Sequence, residues 1–496
     1  MNYLIGIDVG TSGTKSVLFD TDGHVIASAT AEYPLYQPNN GWAEQDPEDW
    51  WQGVCTTLKS LTEKAAGGNI LGIGLSGQMH SLVLLDKANQ VIRPAILWCD
   101  QRTGAECEDI ERIVGRERLI DITANPALPG FTASKLMWVK KHEPENYAKA
   151  AHILLAKDYI RFKLTGEYAT EVSDASGMQL LDVANRCWSK EVCDKLGIDM
   201  ALLAKVYESP ELTGRVTAEA ASLTGLAQGI PVAGGAGDNA AAAIGMGVHA
   251  PGKAFTTIGT SGVVFTPIDS PIIDKKGRIH TFCAAVPGTW HVMGVTQAAG
   301  LSLNWFRKTL APELSYDQIT EACKPLPIGA ENLLYLPYLM GERTPVLDSN
   351  ARGVFFGLSA IHTKAHMARA VIEGISYSLY SCLEVINEVG IQVSDMALCG
   401  GGGKSLFWQQ MLSELYAIPI KTMASDEGAA LGAAILAGCA AGVYASVADG
   451  CTRIVREKSH TLPDETRHQA YMGYYGIYRD LHPALKDNFK KLAAVN

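Results

Sequence analysis

The run Ile5-Gly6-Ile7-Asp8-Val9-Gly10-Thr11-Ser12-Gly13-Thr14-Lys15 carries the residue types needed to hold a phosphate. An apolar strand, Tyr3 to Ile7, ends in a carboxylate, turns through glycines and hydroxyls, and returns as a second strand, Ser16 to Phe19. Gly10 and Gly13 permit a sharp turn that bares backbone N–H groups. Successive N–H groups in such a turn form a concave anion site. Thr11 and Ser12 add hydroxyl donors, and Lys15 adds a cation. Asp8, at the strand end, is placed to hold a Mg²⁺ ion directly or through water. A plain glycine hairpin explains this segment as well when it is read alone. Recurrence shifts the balance: Ile258-Gly259-Thr260-Ser261-Gly262 repeats the pattern between two more apolar runs, Ala254–Ile258 and Val263–Phe265.

A third glycine loop, Gly400-Gly401-Gly402-Gly403, follows a short strand, Met396 to Cys399, and precedes a helix, Lys404 to Tyr416. It is not a P-loop, because that spacing puts a glycine where Leu398 stands. Four glycines exceed what a strand-to-helix turn needs, so the loop reads as a nucleotide contact. Other candidates have bland readings when taken singly. Asp238 reads as a helix cap, Met79-His80 as loop, and Trp98, Asp100 and Arg102 as an aromatic beside a local ion pair. His362 and His366 are spaced i, i+4 without the glutamate of H-E-x-x-H, and read as a solvated helix face.

These residues need elements to position them. His24–Ala29 reads as a third strand after the first hairpin. Asp46 caps a helix with Pro47 in its first turn, and Trp50, Val54, Leu58 and Leu61 form its apolar face. Ile70–Leu75, Ser81–Leu85 and Val91–Leu97 read as strands, and Gly130–Glu143 and Ile153–Leu164 as helices. Residues 170–230 show no clear period. Pro231–Ala233 reads as a strand entering a flexible turn, with Asp238 near the start of an alanine-rich helix. Helices follow at Gln297–Lys308, His366–Glu388 and the small-residue run from Gly428, and the last fifty residues read as polar helix. Strands alternating with helices imply a mixed sheet covered on both faces. The second strand–turn–strand implies an internal duplication with its boundary near residue 250.

At 496 residues, 47% apolar and 19% charged, the chain suits two large globular lobes. A net charge of −10 without a basic run argues against nucleic acid or anionic membrane as partner. No secretory signal and no apolar run of spanning length is visible. Eleven scattered cysteines lack a C-x-x-C pair and read as reduced cytoplasmic thiols.

Together the segments resemble the FGGY family of carbohydrate kinases, within the actin, Hsp70 and hexokinase superfamily. Gly130-Phe131-Thr132-Ala133-Ser134-Lys135-Leu136-Met137-Trp138 is similar to its first signature. Gly353-Val354-Phe355-Phe356-Gly357-Leu358, continuing to Arg369-Ala370-Val371-Ile372-Glu373-Gly374, is similar to its second. Gly237-Asp238-Asn239 resembles its catalytic turn. Ser76-Gly77-Gln78-Met79-His80 resembles the form found in xylulose-phosphorylating members; glycerol-phosphorylating members have Arg-Glu at the last two positions. Gly41 to Pro47 and Pro337 to Pro345 point the same way.

The resemblance implies an α/β fold of two ribonuclease-H-like lobes around a deep cleft. The expected domains are 1–248, which holds the sugar and catalytic groups, 249–440, which holds the nucleotide, and a helical extension, 441–496. The implied activity is ATP-dependent phosphorylation of D-xylulose with Mg²⁺. Asp238 is then the base, Met79 and His80 lie at the ketose, and Asn239 lies beside them. Thr260, Gly300, Asn304, Gly401 and Ser405 fall near the nucleotide, with Gly259, Ser261 and Gly400 from the same turns. A cytoplasmic protein is expected, and a homodimer is compatible with it. A kinase of ribulose, glycerol or a sugar alcohol is the nearest alternative. An actin- or Hsp70-like nucleotide switch is the alternative of a different class.

Overall fold

The computed structural model describes residues 1–65 and 67–495. Two seven-stranded sheets repeat one topology. In the first, Asn2–Val9, Gly13–Asp20 and Val25–Glu32 run antiparallel in succession. Asn69–Gly77 lies parallel on the other side of Asn2–Val9, Pro231–Ala233 parallel beyond it, and Leu212–Arg215 antiparallel at the edge. In the second, Lys253–Ile258, Gly262–Ile268 and Trp290–Thr296 are the antiparallel trio, extended by His280–Cys283. Asp395–Cys399 and Ile420–Met423 lie parallel to Lys253–Ile258, and Glu457–Thr461 closes the edge antiparallel. The duplication read from two glycine turns therefore extends through both sheets.

Alternation along the first strand decides what covers the first sheet. Ile5 and Ile7 join Trp50, Val54, Leu58 and Leu61 of helix Pro47–Lys64 in one core. That helix starts as its sequence dictates, with the Asp46 carboxylate accepting the Glu48 N–H at 2.9 Å. Leu4 points the other way, to Leu431, Ala434 and Ile435 of helix Gly428–Ala440. Gly6 and Gly74 let that helix touch the sheet: a Cβ on either would strike the Ala430 or Ala433 carbonyl. Tyr444, Val447, Cys451 and Ile454 extend the same cluster.

Several expectations need correction. Helix Gly428–Ala440, expected with the second lobe, packs on the first sheet. The tail is largely helical, as expected, but it is neither wholly helix nor a polar appendage. It supplies the edge strand Glu457–Thr461, and helix Glu465–Ala493 buries Tyr471, Tyr475, Tyr478 and Phe489 in the second core. Ile153–Leu164 is not one helix, because His152–Leu154 pairs with Val83–Leu85 as a strand before helix Ala156–Thr165 begins. Of Val91–Leu97 only Ala95–Ile96 is strand.

Helix Asp238–Gly245 sits at the junction of the lobes. Its Ala240, Ala241 and Ile244 join the cluster on the first sheet, and Ala243 joins Phe255 and Phe265 of the second. Gly245 and Gly432 let it cross helix Gly428–Ala440 backbone to backbone. The turn carrying Asp238 is thus tied to the hinge.

Candidate active site

Asp8 lies near the end of the first strand, and its Oδ1 accepts the Ser76 hydroxyl at 2.9 Å. Burial raises its pKa, opposed by that bond and by Lys15. The turn that follows is tight: Gly10 N–H donates to the Gly13 carbonyl at 3.1 Å, and Tyr33 OH holds the Gly10 carbonyl at 2.5 Å. Gln45 Nε2 donates to the Thr11 carbonyl at 2.7 Å, and Trp98 Nε1 to Thr11 Oγ1 at 2.9 Å. Ser12 is exposed at the tip. Lys15 reaches away from the turn to Glu427, 2.5 Å distant, just before helix Gly428–Ala440.

Asp238 is the first residue of its helix, not the cap; Gly237 occupies the cap position and has no side chain to bond with. Instead Asp238 Oδ1 accepts from Asn239 N at 2.6 Å and Asn239 Nδ2 at 2.9 Å. Burial, and then the charge of Asp8, push Asp238 up to about 6, against those two bonds. The charge of Asp8 thus disfavours ionisation of Asp238, an environment of the kind that tunes a carboxyl toward proton transfer.

Met79 packs its thioether against Gly237. His80 holds a left-handed backbone, φ 70°, uncommon for a residue with a side chain, and its surroundings fix it there. Those surroundings come from the first signature. Thr132 Oγ1 donates to the His80 carbonyl at 3.0 Å, and Lys135 Nζ donates to it at 2.9 Å and to the Gly130 carbonyl at 2.5 Å. Burial pulls Lys135 down to about 7, partly offset by Asp100. His80 Nδ1 donates to the Gly177 carbonyl at 2.8 Å, which leaves Nε2 as an acceptor. Burial, then Lys135, depress His80 to about 3, so the ring stays neutral at physiological pH. Its neighbours are Phe131, 4.9 Å away between ring centroids, and Phe282 of the second lobe, 6.3 Å away. Sequence reasoning missed Thr132, Lys135 and Phe282, whose roles appear only once the loop is folded. Asp100 and Arg102 do form the expected local ion pair, 2.7 Å apart, and Arg102 stacks over Trp42.

The second lobe has a cavity of about 400 Å³ lined by Gly259, Thr260, Gly300, Asn304, Gly401 and Ser405. Tyr316 and Trp408, which sequence reasoning did not pick out, line it too. The Gly300 and Leu301 N–H groups donate to the Gly259 and Thr260 carbonyls at 2.7 and 3.1 Å, docking a helix start onto the second turn. Gly400, at φ 83°, passes so close to Ile258 that a Cβ would collide with its backbone. Ser261 and Gly400 shape these turns without lining the cavity. Asn304 Oδ1 accepts Tyr316 OH at 3.1 Å. Ser405 caps the helix, which begins at Leu406 rather than Lys404. Among the described residues no group of three or more His, Cys, Asp or Glu side chains could cage a metal, and no helix is long and apolar enough to cross a membrane.

Known proteins resemble this chain along nearly its whole length. The xylulose kinase of Bacillus subtilis (strain 168) is 40% identical over 98% of this chain and 98% of its own. That of Escherichia coli (strain K12) is 39% identical over 97% and 99%. The structure of ligand-bound xylulose kinase from Lactobacillus acidophilus superposes with a TM-score of 0.95 at 30% identity, covering 99% of this chain and all of that one. Residues 3–245 and 254–441 match the N-terminal and C-terminal domains of one family. The chain therefore belongs to the FGGY family of carbohydrate kinases.

Proposed function

We propose that this kinase transfers the γ-phosphoryl group of ATP to the terminal hydroxyl of D-xylulose, giving ADP and D-xylulose 5-phosphate. Support for the sugar comes from xylulose kinase relatives that align along nearly the whole chain. The chemistry rests chiefly on Asp238, a carboxylate raised to about 6 at a cleft that also holds Asp8. A base poised near neutrality takes a proton from an alcohol far better than an ordinary carboxylate. As the sugar oxygen attacks the γ-phosphorus in line, its proton passes to Asp238, and the bond to ADP breaks. Beyond that proton the work is positioning and charge stabilisation.

Asp8 fits a Mg²⁺ ion carried in with the nucleotide. Its carboxylate is lifted by burial and uses one oxygen on Ser76, and such an ion needs only one or two protein carboxylates. When bound, the ion would offset charge on the phosphate oxygens. Thr11 and Ser12 would meet the γ-phosphate from the first lobe and Thr260 and Ser261 from the second, while Lys15 is engaged by Glu427. The neutral His80 offers Nε2 to a sugar hydroxyl, with Met79 and Asn239 shaping the same end. Parts drawn from both lobes require closure, which also keeps water from the γ-phosphate. All eleven cysteines are free, as suits a reducing cytoplasm.

The test is Asp238→Asn. The variant should bind ATP and D-xylulose by calorimetry yet lose about 10²–10⁴-fold in turnover, the range of a positioned base. Turnover within about tenfold of the parent would remove Asp238 from the chemistry.

A further inference from the structure

Beneath the turn that leads into Asp238 lies a buried charged cluster with no part in the transfer just described. Lys157 Nζ is 2.8 Å from Asp158, 3.2 Å from Glu171 and 3.1 Å from Asp174, and all four side chains are sealed from solvent. Burial pushes the Asp174 carboxyl up, against the pull of Lys157. Buried ionic groups contribute little net stability, so a core of this kind invites a search for what it holds.

Its hydrogen bonds converge on residues 234–237. Ser173 Oγ accepts the Gly237 N–H at 3.1 Å and donates to Glu171 Oε1 at 3.0 Å. The Glu171 carboxylate also accepts Ser173 N at 2.7 Å and Ser209 Oγ at 2.8 Å. The Ser209 carbonyl accepts Gly235 N at 3.0 Å, and the Arg161 guanidinium donates to the Gly234 carbonyl. Gly234, Gly235 and Gly237 are thus each tied to this cluster. Asp238 itself has no side-chain partner among the described residues except its neighbour Asn239. What aims its carboxylate is the backbone that precedes it.

We propose that Ser173, oriented by Glu171, is a positioning residue for Asp238: its hydroxyl fixes the Gly237 peptide and so the direction of the base toward the sugar hydroxyl. The proposal rests on the reading of Asp238 as that base. Misplacing a reacting group by about 1 Å costs on the order of 10²-fold in rate. Loss of one of the several bonds on this turn should cost about 10–100-fold in kcat.

The experiment is a double-mutant cycle on the full chain, read as kcat and both KM values. Ser173→Ala should lower kcat by about 10–100-fold with both KM values within about twofold. Ser176→Ala, which removes a buried hydroxyl three residues on that bonds Val172 and Cys283 instead, should leave kcat within about twofold. In an Asp238→Asn background, Ser173→Ala should cause no further loss, because it acts through the carboxylate already removed. An unchanged kcat in Ser173→Ala, or the same fold-loss in the Asp238→Asn background, would overturn the proposal. Should Ser173→Ala not fold, Ser173→Cys, whose thiol is a far weaker acceptor for the Gly237 N–H, enters the same cycle: a loss confined to the Asp238 background supports the proposal, and an equal loss in both backgrounds overturns it. If Asp238→Asn alone retained most of its turnover, the base assignment would fall and the proposal with it. If Asp238→Asn is inactive and Ser173→Ala is not impaired, only the positioning proposal falls.

Discussion

Asp238→Asn should make the protein more stable while it lowers turnover by about 10²–10⁴-fold. The folded structure raises this carboxyl from 3.8 to about 6, chiefly by burial and then by Asp8. Each pKa unit corresponds to about 1.4 kcal/mol, so two units make about 3 kcal/mol. The sign follows from linkage. The folded state binds this proton more tightly than the unfolded state, so folding is favoured at low pH and that advantage disappears as pH rises through 6. At pH 8 the ionised group therefore opposes folding by about 3 kcal/mol, and at pH 5 by about half of that. Two corrections reduce the gain from substitution. The side chain is partly open to the cleft, and an anion in the first helical turn favours the helix by roughly 0.3–1 kcal/mol. A net gain of about 1–2 kcal/mol at pH 8 remains, or about 2–8 °C in Tm if one lobe unfolds as a unit. Asparagine keeps the acceptor that the two Asn239 donors need, so the turn should hold. Differential scanning calorimetry at pH 8 and pH 5 reads this directly. A variant less stable than the parent at pH 8, or a gain that does not shrink at pH 5, would show that the ionised Asp238 does not oppose folding.

Three further outcomes are expected. His80→Ala should cut kcat/KM for D-xylulose by about 10–100-fold, as for loss of one hydrogen-bond partner, with KM for ATP within about twofold; steady-state kinetics with each substrate varied would show the reverse if the loop served the nucleotide. Asp8→Ala should lower turnover by at least about 10²-fold while calorimetric sugar binding survives, and near-normal turnover with an unchanged Mg²⁺ dependence would disprove its metal role. Small-angle scattering should give a smaller radius of gyration with D-xylulose and a non-hydrolysable ATP analogue than without them, and identical profiles at saturation would argue against closure.

The sequence shows the parts whose signal is local. Both glycine hairpins, the Asp46-capped helix and the glycine loop before Leu406 are set by turn chemistry and short-range periodicity, and they stand where their residues put them. The Gly428 helix announced close packing through its small residues but not its partner. That partner is a pair of strands more than 350 residues earlier, whose Gly6, Gly72 and Gly74 complete the fit. Residues 170–230 resisted reading because their pieces are too short to carry a period; Glu171 and Ser173 matter through Gly237, across more than sixty residues. The edge strand Glu457–Thr461 reads as polar because an edge strand needs little apolar surface. At the site, Asp8, Asp238 and His80 could be named from sequence. The Lys15–Glu427 pair and the Lys135 prop under His80 could not, since each joins segments unrelated in spacing.

The activity proposed for this chain is the phosphorylation of D-xylulose. The direct test is ADP release, coupled to a reporter enzyme, with D-xylulose, D-ribulose, xylitol, glycerol and no sugar. For a xylulose-phosphorylating site, kcat/KM for D-xylulose should exceed that of every other compound by about tenfold or more, the discrimination a hydrogen-bonding pocket readily gives. A higher value for any other compound, or ADP release at the same rate without sugar, would contradict it.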